Sequence, residues 1–367
     1  MPCFKLQASS FQLKEEGLAG ATPFQLPASS LPAADIRPKQ LYGPISSPMI
    51  YNLELNTTIT PDQAETTVIK LLSSRFTYRT EEQWLQMINK GQVLVDGNIA
   101  KADDLLLEGM SLGFVVPNYY EPDLDTNYHK IFENENIIVV SKPADLPIST
   151  NHKFFKQNMT ALIRRDFNLP DINPIHRLDR ETSGLMIYLK KPFDKPKPIR
   201  KDPRLIIKDK YYLAIVNGIV EKEKFTVNIP LKDLNEGPTP YKAVKAESGD
   251  GKEASTEFTR LGTSEKYSLL LCRLNSGRKH QIRAHCAIIG HPIVGDKLYL
   301  YDGKYFIKRR DTDVLDEADY EALGAHHHLL HAYKLNLELP EEGAVSLKSE
   351  YYSEDFKRYL GVFGKVL

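Results

Sequence analysis

The chain has 367 residues, 48 Lys+Arg against 48 Asp+Glu, 41% hydrophobic residues and 3 cysteines. That is the make-up of an ordinary soluble globular protein, long enough for one large domain and a smaller one. No apolar run approaches the ~20 residues of a membrane-spanning helix, and the cysteines lack the paired spacing of a disulfide framework or a zinc ribbon, which points to a reducing compartment. The net charge of zero disfavours a uniformly basic nucleic-acid binder. The charge is nevertheless segregated. Residues 176–210 hold 11 Lys+Arg against 5 Asp+Glu, residues 266–310 hold 10 against 2, and six carboxylates crowd 311–321. A basic face with an acidic remainder and a plain solvated surface both fit this count.

In chain order, residues 1–60 read as an irregular leader rich in Ser, Ala and Pro. It has no signal-peptide core, and Glu15, Glu16 and Asp35 argue mildly against an organelle-targeting segment. A cytoplasmic location is expected. Residues 61–117 form a small module. Val68, Leu71 and Leu72 are spaced for one helix, and Trp84, Leu85 and Ile88 for a second that Gly91 ends. Val93-Leu94-Val95 predicts a strand, Asp96-Gly97 a hairpin turn, and 111–116 a further strand. Residues 118–126 read as a linker, and 341–367 as a C-terminal extension beyond a main domain of 127–340.

In the main domain, Ile137-Ile138-Val139-Val140-Ser141-Lys142-Pro143 predicts a buried strand ended by proline. The stretch His176-Arg177-Leu178-Asp179-Arg180-Glu181-Thr182-Ser183-Gly184 sets one carboxylate between two arginines, ahead of the apolar run Leu185-Met186-Ile187-Tyr188-Leu189. Asp179 therefore sits on a loop that leads into a rigid strand, as a reactive group should. The flanking cations favour its ionised form and suit a phosphate-bearing substrate. Pro192, Pro196, Pro198 and Pro203 then rule out a long helix before Lys210. An extended basic loop is expected there, either a linker or a phosphate-contacting arm.

Residues 210–218 predict a strand with Lys210 and Tyr212 on one face. A tyrosine there offers a flat ring to stack on a pyrimidine and a hydroxyl to relay a proton. Gly277 suits a tight turn into a helix whose start is a natural anion site, and Arg278 is placed to reach phosphate. His280 and His285 are five apart and share no helix face, and His326-His327-His328 are consecutive. Neither pattern suits a metal, and no metal or cofactor is expected.

The nonamer at 176–184 resembles the H-R-L-D-x-x-T-S-G signature of the RluA-like RNA pseudouridine synthases. Residues 210–218 are similar to that family's K-x-Y-x-A-x-V-x-G, and residues 251–258 to its G-K-x-A-x-T-x-F. Ser276-Gly277-Arg278-Lys279-His280-Gln281-Ile282-Arg283-Ala284-His285 resembles T-G-R-x-H-Q-I-R-x-H, and Gly290-His291-Pro292-Ile293-Val294-Gly295-Asp296 the following G-x-P-I-x-G-D. Four positions depart from the pattern. Ser276 stands in place of Thr. Asp145 stands where a glycine usually follows Lys-Pro, and His327-His328 stand where the ending R-Q-x-L-H-A has Arg-Gln. The module at 61–117 partly resembles the alpha-L RNA-binding domain, without its usual R-L-D start and with few basic residues on its second helix.

The resemblance implies an α+β fold: a large, mixed, mainly antiparallel sheet with flanking helices. It implies isomerisation of uridine to pseudouridine in ribosomal or transfer RNA by a monomer. Asp179 is then the catalytic carboxylate, Arg283 the guanidinium that pairs with it, and Tyr212 the ring that stacks on the flipped uracil. Arg177 fills the space vacated by the base, with Arg180, Lys210, Arg278, Lys279 and His280 as further RNA-binding residues. One carboxylate is chemically enough, either attacking the anomeric carbon or removing the neighbouring sugar proton. Glycosidases use two. An RNA-binding protein without turnover and a nucleoside hydrolase are the competing readings.

Overall fold

The structure, a computed structural model, describes residues 49–151, 153–190, 205–247, 249–312 and 314–364. The start of the leader and the proline-rich basic loop at 191–204 lie outside the described residues. The chain divides into two compact units, one holding residues up to 123 with 150–155, the other 124–149 with 156 onward.

The first unit opens with strand β1 (Met49–Thr58), then the two-residue strand β2 (Thr66–Thr67), helices α1 (Val68–Arg75) and α2 (Glu81–Asn89), and strands β3 (Val93–Val95), β4 (Asn98–Ile99), β5 (Leu105–Leu106) and β6 (Ser111–Glu121). Residues 49–58, expected within the irregular leader, instead form a strand antiparallel to β6. The reason is the alternation of buried Leu53, Leu55 and Thr57 with more exposed neighbours, the period of a half-buried strand. β6 likewise runs through 118–121, the first residues of the expected linker. α2 is closed at its start by a reciprocal Thr80–Gln83 capping box. The fully buried Trp84 packs edge-to-face on Phe76, Tyr78 and Phe114.

The second unit is built on a ten-stranded sheet. Its strands are β7 (His129–Glu133), β8 (Ile137–Lys142), β9 (Asn173–Pro174), β10 (Ser183–Leu189), β11 (Ile207–Asn217), β12 (Lys224–Asn228), β15 (Ser255–Thr263), β16 (Tyr267–Leu274), β17 (Leu330–Leu339) and β18 (Gly343–Lys348). A separate hairpin pairs β13 (Leu231–Asp233) with β14 (Ala243–Lys245). The sheet order is β12-β15-β16-β11-β17-β10-β8-β7, with β18 on β17 and β9 on β10. Helices α3 (Met159–Phe167), α4 (Gln281–Ile288), α5 (Lys304–Thr312), α6 (Glu317–Leu323) and α7 (Glu354–Gly361) complete the unit. The central strands β8, β10 and β11 carry unbroken apolar runs because both of their faces are covered.

Every strand pairing in this sheet is antiparallel except one. β10 meets β17 in parallel at Ser183↔His331 and Gly184↔Ala332. Gly184 has φ +103, and a Cβ there would lie 2.3 Å from the Ala332 carbonyl oxygen, so only glycine allows this approach. Within the expected C-terminal extension, residues 343–361 pack on the second unit. β18 extends the sheet, Phe356 and Tyr359 of α7 enter the main core, and His331 bridges Ser183 Oγ (2.8 Å) and the Ser349 carbonyl (3.0 Å). Apolar residues at alternate positions of β18 and one face of α7 would otherwise stay in water.

Candidate active site

Asp179 lies on the loop between β9 and β10, and the loop is fixed from below. Its own carbonyl accepts from the Thr182 N–H (3.1 Å). Lys142, at the end of β8, is fully buried and donates from Nζ to the carbonyls of Pro143 (2.7 Å), Leu146 (3.0 Å) and Arg180 (2.8 Å). The Lys-Pro element therefore ties the end of one strand to the residue after Asp179.

Arg283 reaches this loop from α4. Nε and Nη2 donate to the two oxygens of Asp296 (2.7 and 2.8 Å), and Nη1 donates to Asp179 Oδ2 (2.8 Å). A bidentate pair fixes the plane of a guanidinium, so Asp296 aims the remaining nitrogen at Asp179. Asp296 is itself held by the backbone N–H groups of Leu298 (3.0 Å) and Tyr299 (3.1 Å). It follows Gly295, whose φ of +80 and close approach to the His327 carbonyl leave no room for a side chain. The Arg283 guanidinium also lies over the Tyr299 ring, 5.2 Å from its centroid.

The turn before α4 is organised by Gln281. Its Oε1 accepts from Ser276 Oγ (2.8 Å) and the Arg278 N–H (3.0 Å), and its Nε2 donates to the Ser255 carbonyl and Thr256 Oγ1 (2.9 Å each). His280 caps the helix in the left-handed region, φ 54. Its Nε2 sits 3.7 Å from Asp179 Oδ1.

These neighbours set the protonation states. Burial pushes the Asp179 carboxyl up, but His280 once protonated in acid, Arg283, and His328 likewise protonated together outweigh it and hold the group well below the usual carboxylate range. Burial pushes His280 and His328 down to about 4 despite the nearby carboxylates. At neutral pH both imidazoles are therefore uncharged, and Arg283 alone supplies the positive charge beside an ionised Asp179. Tyr212, on β11, is buried. Burial and then the Asp179 charge push its phenol well above the usual range, so it stays protonated. The site thus holds an ionised carboxylate, 23% exposed at its side chain, with a neutral aromatic ring within reach of its charge.

The structure brings Asp179, Arg283 and His280 into one cluster and places Tyr212 within reach of the Asp179 charge. Lys210 lies on β11, mostly buried, with Nζ 3.8 Å from where a Gly277 Cβ would stand. Among the described residues no carboxylate pairs with it. Arg177 is exposed and has no ion pair among the described residues. The other three cations are engaged. Arg278 donates to the Glu253 carbonyl (2.8 Å), Lys279 lies 3.3 Å from Asp233, and Arg180 is held by Asp145.

Sequence reasoning gave no role to Asp296, Tyr299, Lys142 or His328. Asp296 had a local signal in its G-D motif. The others act only through tertiary partners; His328, for example, meets Thr182 Oγ1 at 2.8 Å. Among the described residues, Asp145, Glu181 and His327 also come close enough together for metal ligation. Arg180, Arg309 and Lys297 already pair with those two carboxylates. A divalent cation would add charge to a cluster whose cations outnumber its carboxylates.

Residues 136–288 match the sequence profile of the family described as RNA pseudouridylate synthase. Among relatives, the chain is 28% identical over 237 residues to "RNA pseudouridine synthase 7" of Oryza sativa subsp. japonica, covering 64% of this chain and 60% of that protein. It is 27% identical over 260 residues to "tRNA pseudouridine(32) synthase, mitochondrial" of Saccharomyces cerevisiae, covering 71% of this chain and 56% of that one. The chain thus spans less than two thirds of the length of these relatives. A solved structure, "Human RNA Pseudouridylate Synthase Domain Containing 1", aligns with 22% identity and a TM-score of 0.47, covering 62% of this chain and 85% of that one.

Proposed function

We propose, on the match of residues 136–288 to the family described as RNA pseudouridylate synthase, that the chain isomerises uridine in RNA to pseudouridine, with Asp179 as the reacting carboxylate. The observation that carries this reading is the Asp296–Arg283–Asp179 chain of charge-assisted bonds. It keeps a partly exposed carboxylate ionised and aimed, next to a buried neutral tyrosine.

The reaction breaks the N1–C1′ bond, turns the uracil and joins C5 to C1′, and the C5 proton leaves to water. It needs no net redox change and no second carboxylate. Asp179 serves either as nucleophile at C1′ or as base at the neighbouring carbon, and both routes require the ionised form that Arg283 maintains. Tyr212 supplies a ring for the extruded base, which leaves its stack at a cost of a few kcal/mol. Arg177, exposed and without an ion pair among the described residues, is the candidate to enter the vacated space. Lys210, a largely buried ammonium without a carboxylate partner, is the candidate for the phosphate of the target nucleotide.

The helix–helix–strand order of the first unit supports reading it as an alpha-L-like RNA-binding module. For compartment the proposal is the cytoplasm. Among the described residues no helix is long and apolar enough to cross a membrane.

Bulk RNA carrying tritium at C5 of uridine tests the reaction. Incubation with the full chain should release tritium to water and leave pseudouridine in the RNA. Free uracil would instead indicate a hydrolase, and RNA captured without any release would indicate a binding protein.

A further inference from the structure

We propose that Arg309, on α5, is a positioning residue for Asp179, acting through a run of ion pairs, Arg180–Asp145–Arg309–Glu181, that the backbone between Arg180 and Glu181 closes into a ring. The inference rests on the proposed activity and extends it to a residue outside the matched motifs. Arg309 Nη1 donates to Glu181 Oε1 (2.7 Å), and Nη2 lies 3.3 Å from both oxygens of Asp145. Arg180 in turn donates from Nη2 to Asp145 Oδ2 (3.0 Å) and from Nε to the Asp145 carbonyl (3.1 Å), with Nε 2.9 Å from Oδ1. Arg180 and Glu181 are the two residues that directly follow Asp179. The ring therefore fixes by their side chains the same segment that Lys142 fixes by its backbone.

Two departures from the family pattern meet in this ring. Asp145 stands at a glycine position and keeps the left-handed backbone, φ 59, which aspartate tolerates better than most residues. Its carboxylate is what joins Arg180 to Arg309. His327 stands where the pattern has arginine, and it faces the same two carboxylates. Arg309 brings a guanidinium to them from a helix instead. A planar fork spans the two carboxylates with a separate nitrogen for each; a lysine would have to share one nitrogen between them. The side chains are 12–35% exposed, so salt screens the ring less than it would a surface pair. Positioning matters because a displacement of about 1 Å at a reacting group costs on the order of 100-fold in rate.

Steady-state kinetics on a pseudouridine substrate RNA and hydrogen exchange of the 177–184 peptide test the role together. Arg309→Gln should lower kcat about tenfold with KM within about twofold, and the added change His327→Arg should restore most of the loss. Arg309→Lys should fall between, and it is the variant to read if Arg309→Gln does not fold. Amide exchange at Thr182 should quicken in Arg309→Gln, a readout that needs no turnover. A folded variant with wild-type kcat overturns the positioning role even if its melting temperature drops. Should the wild-type chain prove inactive, the proposed activity fails, and the exchange arm alone judges the ring: unchanged exchange overturns it.

Discussion

Arg283 is shared between two carboxylates, and the sharing is unequal. Asp296 takes two nitrogens and is fully buried; Asp179 takes one and keeps access to solvent. The first pairing aims the arginine and the second uses it. The histidines around this core are kept neutral by burial. His176 is pushed down to about 3, and His280, His328 and His331 to about 4. In the unfolded chain each takes up a proton near pH 6.5. Between about pH 6.5 and 4 the unfolded state thus binds more protons than the folded one, so stability rises with pH in that window and is lost on acidification. Asp179, whose carboxyl is lowered, adds its own loss only below its unfolded value of about 3.9. Urea midpoints at pH 7 and pH 5 should show the lower stability at pH 5, with proton uptake on unfolding. Equal midpoints would mean that these imidazoles are already charged in the fold. Asp179 and Arg283 were legible because each sits in a dense local motif. Asp296 had a motif but no visible partner, since its partner is thirteen positions away on another element.

At the scale of elements, the strands were legible and their neighbours were not. Apolar runs at 137–140 and 185–189 and alternation in the first unit follow from local burial. The order that puts β10 beside β17 follows from tertiary packing, and so does the inclusion of β18 in the sheet. That order brings the end of β8 under the Asp179 loop, where Lys142 meets three carbonyls. Replacing it with a residue of similar length but no donor leaves buried acceptors unpaired. Lys142→Met should therefore cost about 2–4 kcal/mol, read as a lower urea midpoint, and should lower kcat more than it raises KM. A stability within about 0.5 kcal/mol of wild type would mean that water replaces the ammonium there.

Over the whole molecule, the segregated charge resolves into two uses. Three of the described acids at 311–321 are paired with cations of α5. Asp316 and Asp319 pair with Lys308, and Asp311 with Arg310, so they neutralise the cationic end of α5. Within the basic segments, Arg180 and Arg309 are spent on internal ion pairs. Arg177 and Lys210, proposed above as RNA contacts, are among the described cations of these segments that no carboxylate pairs with. Counting charges could not separate these uses, because the difference lies in which partner each side chain meets in space. The zero net charge is thus compatible with the proposed action on RNA. The central claim is that Asp179 performs the chemistry while other residues hold the RNA. Asp179→Asn keeps the shape of the side chain and removes its charge. Measured against wild type in the tritium-release assay, with folding checked by circular dichroism, it should release no tritium while binding RNA within about tenfold of wild type. Tritium release by the folded variant at the wild-type rate would contradict the account.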